Sequence, residues 1–293
     1  MKTRAAAVNL RIADLHTHST WSDGKHAPAE VVRLAVRAGL SMLALTDHDT
    51  TRGNAEAAER CEAEGIEFVP GIEISALDGG EEYHILGYFV DGCPELDDYI
   101  EATELRRDRR LVEIVTLLAE SGVAIDVEGI RRRAGGVVTR SHIAEYMVAS
   151  GHVGSVRSAF ERYLGPGCSA YVPSAAISVE HAIGVIHGAG GCASLAHPGE
   201  WLNERIIEVF GQMGLDAIET VHPSHDERLT DYYTSLADRF ELLATGGSDF
   251  HAVSGGGSNS PGAYYVNGEN VDQLRRRALQ IRSGSGQAPE SNE

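Results

Sequence analysis

Short apolar segments alternate with amphipathic segments along the first third of the chain. Short apolar runs bounded by turn residues are typical of buried strands, and apolar positions spaced by three or four residues are typical of helices. Pro28 and Gly39 lie where the limits of a first helix are expected, and Gly79 begins a tight hairpin turn. The pattern predicts strands at residues 10–15, 42–46 and 67–70, helices at residues 28–38 and 54–64, and a hairpin between residues 72–77 and 83–89.

The alternation stops in the middle of the chain, where residues 95–172 are mostly helical. We predict a long charged helix at residues 97–120, followed by shorter helices at residues 127–133, 139–150 and 155–163. Because no strand alternates with these helices, we interpret the segment as an inserted helical subdomain.

The alternation resumes in the last third of the chain. We predict strands at residues 192–195, 217–220 and 242–245 and helices at residues 178–189, 202–213, 224–239 and 271–282. Ser224 and Glu227 have the spacing of a capping box at the start of one helix. Alternating strands and helices predict an α/β fold with a parallel sheet or barrel. Residues 10–94 and 173–282 would form its two parts, and residues 283–293 a disordered tail.

Composition and charge narrow the class of protein. The 293 residues can bury a sizeable core, 42% of them are hydrophobic, and no apolar run is long enough to cross a bilayer. Residues 1–9 lack the apolar segment of a signal peptide, so we expect a cytoplasmic location. The net charge of −18 disfavours a nucleic-acid duplex as partner. The four cysteines are widely spaced, which argues against a zinc knuckle and a disulfide scaffold.

The strongest chemical signal follows the first predicted strand. His16 and His18 are two residues apart, so on an extended backbone their rings point to the same side. Asp23, beside the flexible Gly24, can fold back towards them. Imidazole nitrogens with a carboxylate oxygen are the ligand set of a transition metal. Taken alone, this triplet could equally be a chance feature of a polar loop.

Other candidate ligands follow the later strands in the same way. In folds of alternating strands and helices, the functional side chains lie on loops after the carboxyl ends of the strands. The further candidates are His48, Glu73, His197, Asp249 and His251. A chance scatter of histidines would not repeatedly occupy that edge, so the whole set favours a metal site over a set of structural histidines.

These residues lie in motifs that resemble those of the PHP (polymerase and histidinol phosphatase) family of metal-dependent phosphoesterases. The motifs are DLHTHSTWSDG from Asp14, LTDHD from Leu45, GIE from Gly71, HILG from His84, AHPG from Ala196 and SDFH from Ser248. The helical insertion is similar to that of a subgroup of nucleoside 3′,5′-bisphosphate phosphatases and 5′ exoribonucleases of short RNA. The resemblance implies a distorted (β/α)7 barrel with an inserted helical subdomain, and up to three divalent metal ions.

The resemblance also implies how the ligands are shared. One metal ion would take His16, His18, Glu73 and Asp249, a second Glu73, His84 and His197, and a third Asp23, His48 and His251. Their three carboxylates neutralise only half the charge of three divalent ions, which leaves a cationic pocket for a phosphate. A metal-bound hydroxide held by His16, His18, Glu73 and Asp249 would attack the phosphoester, since coordination lowers the pKa of water to about 7.

Further residues carry weaker expectations. Asp14 and Asp47 flank ligands and would accept hydrogen bonds from imidazoles, unless they are ordinary loop carboxylates. Arg140, Ser141 and His142 lie at a predicted helix start and would bind a second phosphate, unless that start is merely solvated. His222 and His225 would contact the substrate phosphate or protonate the leaving oxygen, and structural roles are an equal alternative for both.

We therefore expect a metal-dependent phosphatase that acts on a small nucleotide, in particular on the 3′-phosphate of adenosine 3′,5′-bisphosphate. About two to three divalent ions are expected, with Mn2+ first and Fe2+, Zn2+ or Mg2+ as alternatives. The alternative activities are a 5′–3′ exoribonuclease on short RNA, a histidinol-phosphate phosphatase and a cyclic phosphodiesterase. Outside the enzymes, the alternative is a non-catalytic metal-binding module. The expected partners are small phosphorylated molecules or short oligoribonucleotides, and neither duplex nucleic acid nor a membrane.

Overall fold

The structure is a computed structural model and describes residues 11–173, 177–200, 202–252 and 260–284. Its strands are β1 (Ile12–Asp14), β2 (Met42–Leu45), β3 (Glu67–Asp78), β4 (Glu81–Tyr88), β5 (Ile177–Ser178), β6 (Cys192–Leu195), β7 (Ala217–Val221), β8 (Leu243–Gly246) and β9 (Val266–Asn267). Its helices are α1 (Pro28–Arg37), α2 (Asn54–Glu64), α3 (Pro94–Glu120), α4 (Val127–Ala134), α5 (Arg140–Ala149), α6 (Val156–Ala159), α7 (Val179–Gly188), α8 (Glu204–Gln212), α9 (Glu227–Arg239) and α10 (Gly268–Arg282). A π-helical turn, Phe160–Leu164, follows α6.

The strands form one sheet that nearly closes into a barrel. The strand order is β8-β7-β6-β4-β3-β2-β1-β9, and β5 pairs with β3. β1 to β3 run parallel, as do β6 to β8, whereas β4 is antiparallel to both of its neighbours. At the remaining gap the Leu15 N–H donates to the Gly246 carbonyl at 3.2 Å. The predicted distorted barrel with a helical insertion is therefore confirmed.

A single long strand, β3, replaces the two short strands predicted at residues 67–70 and 72–77. Its first part pairs with β2, and its second part, from Gly71 onwards, pairs with β4. Gly71 lies at the change of partner, where a Cβ atom would come within 2.8 Å of the Leu45 carbonyl oxygen. The strand therefore needs a glycine at this crossing, and that residue makes the local pattern look interrupted.

Three apolar clusters of the described residues pack helices onto the sheet, and one of them joins α1 and α2 to β2. Neighbouring residues of β4 point to opposite faces, so Ile85 belongs to the cluster with α7, α8 and α9, and Leu86 to the cluster with α10. The first cluster includes Ile183 of α7 and Phe210 of α8, and the second includes Leu274 of α10. The second cluster draws residues from β1, β2, β3, β4, β6, β7 and β9, so α10 packs against a core that most of the strands share.

The helical insertion has an apolar cluster of its own. Leu111, Ile114 and Leu118 of α3 pack there with Ile130 of α4 and Met147 of α5. The first turns of α3, in contrast, contribute side chains to the cluster of β3 and α7, namely Leu96, Tyr99 and Ile100. One continuous helix therefore joins the insertion to the barrel. The division at residues 95 and 172 into separate domains stays a prediction, and the predicted tail lies outside the described residues from position 285 onwards.

The predicted capping box at Ser224 is wrong. Helix α9 begins at Glu227, and Asp226 caps it by accepting a hydrogen bond from the Leu229 N–H at 2.9 Å. The Ser224 hydroxyl lies 2.8 Å from Nδ1 of His222 instead. Within the described ranges, no helix is both long enough and apolar enough to span a membrane.

Asp216 connects three elements at the opposite end of the barrel from the carboxyl ends of the strands. Its buried carboxylate accepts hydrogen bonds from His187 Nε2 at 2.8 Å, the Ala193 N–H at 2.8 Å and Arg277 Nε at 2.6 Å. Burial alone would raise the pKa of Asp216, but these donors outweigh it and hold the pKa below its ordinary value. The carboxylate is therefore ionised in the folded protein and ties α7, β6 and α10 together.

We expect Asp216→Asn to lower the free energy of unfolding by about 1–3 kcal/mol, because three donors lose a shared anion. Since the folded pKa lies below the unfolded value of about 3.9, the carboxylate stabilises the fold above that pH. Its contribution is lost as the pH falls through the folded pKa. Urea unfolding at about pH 7 and about pH 3 measures both effects, and the gap between wild type and variant should narrow at the lower pH. Asp272→Asn, which removes an exposed ion pair with Arg11, is the control. Equal stability at neutral pH would contradict this account.

Candidate metal centre

The predicted ligands converge at one end of the barrel. His16, His18 and Asp23 follow β1, His48 follows β2, His197 follows β6, Asp249 and His251 follow β8, and Glu73 and His84 lie on the paired strands β3 and β4. All nine belong to groups of three or four side chains whose ligand atoms lie within 4.8 Å of one another. The structure therefore brings together every ligand that the sequence predicts.

Glu73 is the centre of this arrangement. Its carboxylate is fully buried, and both oxygens lie within 3.2 Å of imidazole nitrogens. Oε2 faces His16, His18 and His48, and Oε1 faces His84 and His197. A carboxylate in this place can bridge between metal ions.

Two further carboxylates lie on either side of Glu73. Asp249 Oδ1 is 3.4 Å from His16 Nε2 and 3.2 Å from His18 Nε2. Asp23 Oδ1 is 3.2 Å from His251 Nε2, with His48 Nε2 at 3.8 Å. His18 also lies within reach of the group of Asp23, His48 and His251, so the predicted first and third ligand sets adjoin at this ring.

Two of the predicted ligands have a strained backbone. His197 has a φ angle of 26° and Asp249 one of 48°, in the left-handed region that residues other than glycine rarely adopt. Such conformations cost of order 1–3 kcal/mol each and persist where the surroundings hold them in place. The folded state therefore contains an unfavourable backbone conformation at each of these two residues, and this conformation directs both side chains into the site.

Throughout the cluster, burial and the neighbouring opposite charges shift the pKa of each group in opposite directions. Burial alone would raise the pKa of Glu73, but the imidazoles of His48, His16 and His84 outweigh it and hold that pKa well below its ordinary value. For His18, burial opposes the charged ring, yet the carboxylates of Asp249 and Glu73 raise the pKa to about 10. His48 differs, because burial lowers its pKa to about 4. The carboxylates are thus ionised and attract cations to the site.

Several ligand atoms have no hydrogen-bond partner in the described part of the chain. They are His18 Nε2, Asp23 Oδ1 and His48 Nδ1, and all three are buried. Leaving buried polar atoms unsatisfied costs about 1–3 kcal/mol each, so they indicate positions for a group that the chain itself does not supply. Imidazole nitrogens combined with carboxylate oxygens suit divalent transition metals. The residues therefore fit bound metal ions.

The expectation that Asp14 and Asp47 bind imidazoles is wrong. Asp14 accepts hydrogen bonds from the Ser248 N–H at 2.9 Å and the Ser248 hydroxyl at 2.6 Å, and burial raises its pKa to about 6. Asp47 accepts from the Ser19 N–H at 2.7 Å and the Ser22 hydroxyl at 2.6 Å. Both carboxylates fix the loops that carry the ligands, because their positions face main-chain amides and hydroxyls rather than rings.

Glu219 has the orienting role instead, and the sequence analysis missed it. Its buried Oε1 lies 3.1 Å from His16 Nδ1, and its Oε2 accepts a hydrogen bond from the His197 N–H at 2.7 Å. With Nδ1 donating to Glu219, Nε2 of His16 keeps the lone pair that a metal needs. The available signal was a lone carboxylate in the apolar strand β7.

Arg107 of the insertion is a second missed residue. Its Nε donates to Asp49 Oδ2 at 2.9 Å, and Asp49 Oδ1 accepts from the Ser75 N–H at 2.9 Å. Arg107 also lines a cavity of about 130 Å³ with Arg110, Arg140 and Ser141, and Asp23, His48 and His84 belong to the same lining. The motif LTDHD singles out the region of Asp49, but nothing local indicates its partner on α3.

Two of the three residues predicted to bind a second phosphate line this cavity. Arg140 and Ser141 line the cavity, and Arg140 Nη2 lies 2.9 Å from Glu82 Oε2. His142 is 3% exposed and its Nδ1 accepts a hydrogen bond from the Thr139 N–H at 3.2 Å. The Nδ1 atom of His142 therefore caps its own helix, and contact of this ring with substrate stays a prediction.

Of the two histidines predicted after β7, one lies at the metal centre and the other is bonded to the main chain. His225 is buried, its Nδ1 donates to the Thr220 carbonyl at 2.9 Å, and its Nε2 accepts from the Gly199 N–H at 3.3 Å. Because both nitrogens are bonded to main chain, the prediction that His225 contacts substrate is wrong. His222 remains at the site, with Nε2 3.5 Å from Asp249 Oδ2.

Comparisons with known proteins agree with this geometry. A family model described as PHP domain matches residues 14–134. The chain is 38% identical over 252 residues to the 3′,5′-nucleoside bisphosphate phosphatase of Chromobacterium violaceum, covering 83% of this chain and 88% of that protein. It is 37% identical over 249 residues to a 5′-3′ exoribonuclease of Haemophilus influenzae, covering 83% and 90%. A solved structure from Bifidobacterium adolescentis, described as a candidate metal-dependent phosphoesterase, has a TM-score of 0.83 at 29% identity, over 90% of this chain and 96% of that chain.

We expect Glu219→Gln to weaken metal binding by about 10–100-fold, because a carboxamide no longer fixes the His16 ring. Competition against a chelator of known affinity measures the change without reference to activity. Glu208→Gln, on the exposed face of α8, is the matched control and should bind as wild type does. Unchanged metal affinity in Glu219→Gln would show that His16 keeps its orientation without this carboxylate.

Proposed function

The chain belongs to the PHP domain family and is a metal-dependent hydrolase of phosphate esters, and from this premise we propose that its substrate is a small nucleotide carrying two phosphates. The reaction would remove the 3′-phosphate of a nucleoside 3′,5′-bisphosphate such as adenosine 3′,5′-bisphosphate. The observation that carries the proposal is a cavity lined both by Asp23, His48 and His84 of the candidate metal centre and by Arg107, Arg110 and Arg140 of the insertion.

The phosphate to be cleaved would lie at the metal centre. Bound divalent ions would supply Lewis acidity and lower the pKa of a coordinated water to about 7. Glu73, Asp249 and Asp23 would hold these ions, with the imidazoles that surround them. The surroundings that hold the strained main chain at His197 and Asp249, and the anchoring of His16 by Glu219, would keep these side chains in place before any ion binds.

The second phosphate would lie at the insertion wall of the same cavity. Burial and the neighbouring Arg140 lower the pKa of Arg110 to about 10, which leaves it charged at neutral pH. Among the residues that line this wall, Glu82 is the carboxylate that already faces Arg140. Arg107 pairs with Asp49 and Arg140 with Glu82, which leaves Arg110 as the arginine of this lining without a carboxylate ion pair among the described residues. Guanidinium groups bind phosphate oxygens in a bidentate manner. This combination supports a nucleotide with two phosphates over one with a single phosphate.

The identity of the metal, the cellular location and the division into domains stay predictions. We propose Mn2+ as the metal, with Fe2+, Zn2+ and Mg2+ as alternatives, a cytoplasmic location, and an insertion that forms its own subdomain at residues 95–172. An exoribonuclease acting on short RNA is the second candidate, because the Haemophilus influenzae relative carries that name.

We expect the protein saturated with Mn2+ to carry about two to three ions, because nine ligand side chains exceed the needs of one ion. His48→Ala should lower the content by about one ion and remove most turnover. His181→Ala, exposed on α7, should change neither. Elemental analysis after gel filtration measures the content. A wild-type protein holding at most one ion would contradict a centre of several metals.

We expect Arg140→Ala to lower kcat/KM for adenosine 3′,5′-bisphosphate by roughly ten- to a hundredfold, the effect of losing a charge-assisted hydrogen bond of about 1.5–3 kcal/mol. The loss for an aryl phosphate should be much smaller, because that substrate has no second phosphate. Arg133→Ala, exposed on α4, is the control.

Glu82 complicates that experiment, because Arg140→Ala leaves its carboxylate facing the cavity without a partner. The double variant with Glu82→Gln separates the two effects, since it removes the repulsion together with the arginine. A bisphosphate-specific loss that persists in the double variant supports the second phosphate site. Equal losses on both substrates would place Arg140 at the cleaved phosphate or in folding.

A further inference from the structure

His222 lies at the edge of the candidate metal centre but outside the predicted ligand set. Its ring centroid is 5.4 Å from that of His197 and 6.2 Å from that of His16. The side chain is buried, and its Nε2, 3.5 Å from Asp249 Oδ2, makes no hydrogen bond with the residues that the structure describes. A buried ring nitrogen therefore faces the Asp249 carboxylate across a distance longer than that of a normal hydrogen bond.

The other nitrogen of the ring fixes its tautomer. The main-chain N–H of Ser224 donates to His222 Nδ1 at 3.1 Å. A main-chain amide can only donate, so Nδ1 must carry a lone pair. In a neutral imidazole the hydrogen then lies on Nε2. His222 consequently presents an N–H group, and not a lone pair, to the metal centre.

His225, three residues further along, shows the opposite arrangement. Its Nδ1 faces the carbonyl of Thr220, which can only accept, and its Nε2 faces the N–H of Gly199, which can only donate. The hydrogen of the His225 ring is therefore on Nδ1, and both nitrogens are satisfied. The two rings of this short segment thus have opposite tautomers, and of the two only His222 has a ring N–H without a short hydrogen bond to the described residues.

The same reasoning removes His222 from the metal ligands. Its Nε2 forms a group of metal-ligand spacing with His16 and Glu219. A metal ion there would need a lone pair on Nε2, where the hydrogen is placed, and Glu219 is already bonded to His16 Nδ1 at 3.1 Å. The Nε2–H of His222 can instead donate a hydrogen bond to an oxygen atom with a lone pair.

We propose that His222 donates its Nε2–H to an oxygen of the phosphate group that is hydrolysed. This rests on the proposed function, since a phosphate bound at the metal centre would bring anionic oxygens beside Asp249, where Nε2 points. Hydrogen bonds to charged oxygens are about twice as strong as neutral ones. Because the contact is to the phosphate and not to the nucleoside, it applies to every phosphate ester that the site accepts.

Three variants test the contact. His222→Met removes the donor and should lower kcat/KM by about ten- to a hundredfold on both adenosine 3′,5′-bisphosphate and an aryl phosphate. His222→Gln places an amide N–H near the position of Nε2 and should keep most of the activity. His181→Met, exposed on α7, is the control for the substitution itself. Inhibition by inorganic phosphate should weaken in His222→Met and not in His222→Gln, and the metal content should stay that of the wild type in all three.

A spectroscopic measurement tests the tautomer without any turnover. Two-bond proton–nitrogen NMR spectra of the full-length, metal-free chain distinguish a ring protonated on Nε2 from one protonated on Nδ1. We expect the first pattern for His222 and the second for His225, which is the internal control. If the wild type released no phosphate from any ester, the proposed function would fail while the tautomer of His222 would still be measured.

Three results would overturn the proposal. His222 protonated on Nδ1 would make it available as a metal ligand. A loss of one ion in His222→Met would show that it is one. A loss confined to the nucleotide, with aryl phosphate turnover intact, would place the ring against the nucleoside.

Discussion

The carboxylate of Glu73 is fully buried and faces five imidazole nitrogens, and an ionised group in such a place is tolerated only where positive charge surrounds it. The surrounding rings come from β4 and from the loops after β1, β2 and β6, so they meet only when the sheet curves almost into a closed barrel. The contact between Leu15 and Gly246 at the gap brings the loops after β1 and β8 side by side. The change of partner at Gly71 then places Glu73 between them.

A further set of buried carboxylates holds the ligand loops in position. Asp14 connects the loop after β1 with Ser248 in the loop after β8, and Asp47 holds the turn around Ser19. Glu219 reaches the same loops from β7 through His16 and the main chain of His197. Each of these acids is satisfied by N–H or O–H donors, whereas several ligand atoms have no partner. The loops are therefore fixed by the protein, and the unsatisfied atoms are left for the ions.

The metal ligands could be predicted from the sequence, whereas the residues that hold those ligands in position could not, and the reason is physical. The ligands follow strands, and the strand pattern is local, so His16, Glu73 and Asp249 can be identified from their neighbours in sequence. The partner of His16 Nδ1 lies 203 residues away, on β7, and no local pattern records that contact. The structural roles of His142 and His225 could not be predicted either, for the opposite reason. Their roles are set by main-chain groups of the nearest turns, which a list of residue types does not show.

The insertion supports the metal centre as well as facing it. Arg107 of α3 neutralises the buried Asp49, one residue beyond His48, and the Val137 N–H donates to the carbonyl of Trp21 in the ligand loop at 2.9 Å. The contact at Trp21 is so close that a Cβ atom on Gly136 would lie 2.4 Å from that carbonyl oxygen. A displacement of the insertion would therefore reach the loops that carry His18, Asp23 and His48. Because α3 also continues into the barrel core, the wall that would recognise a second phosphate and the loops that would hold the metal ions are parts of one packed structure.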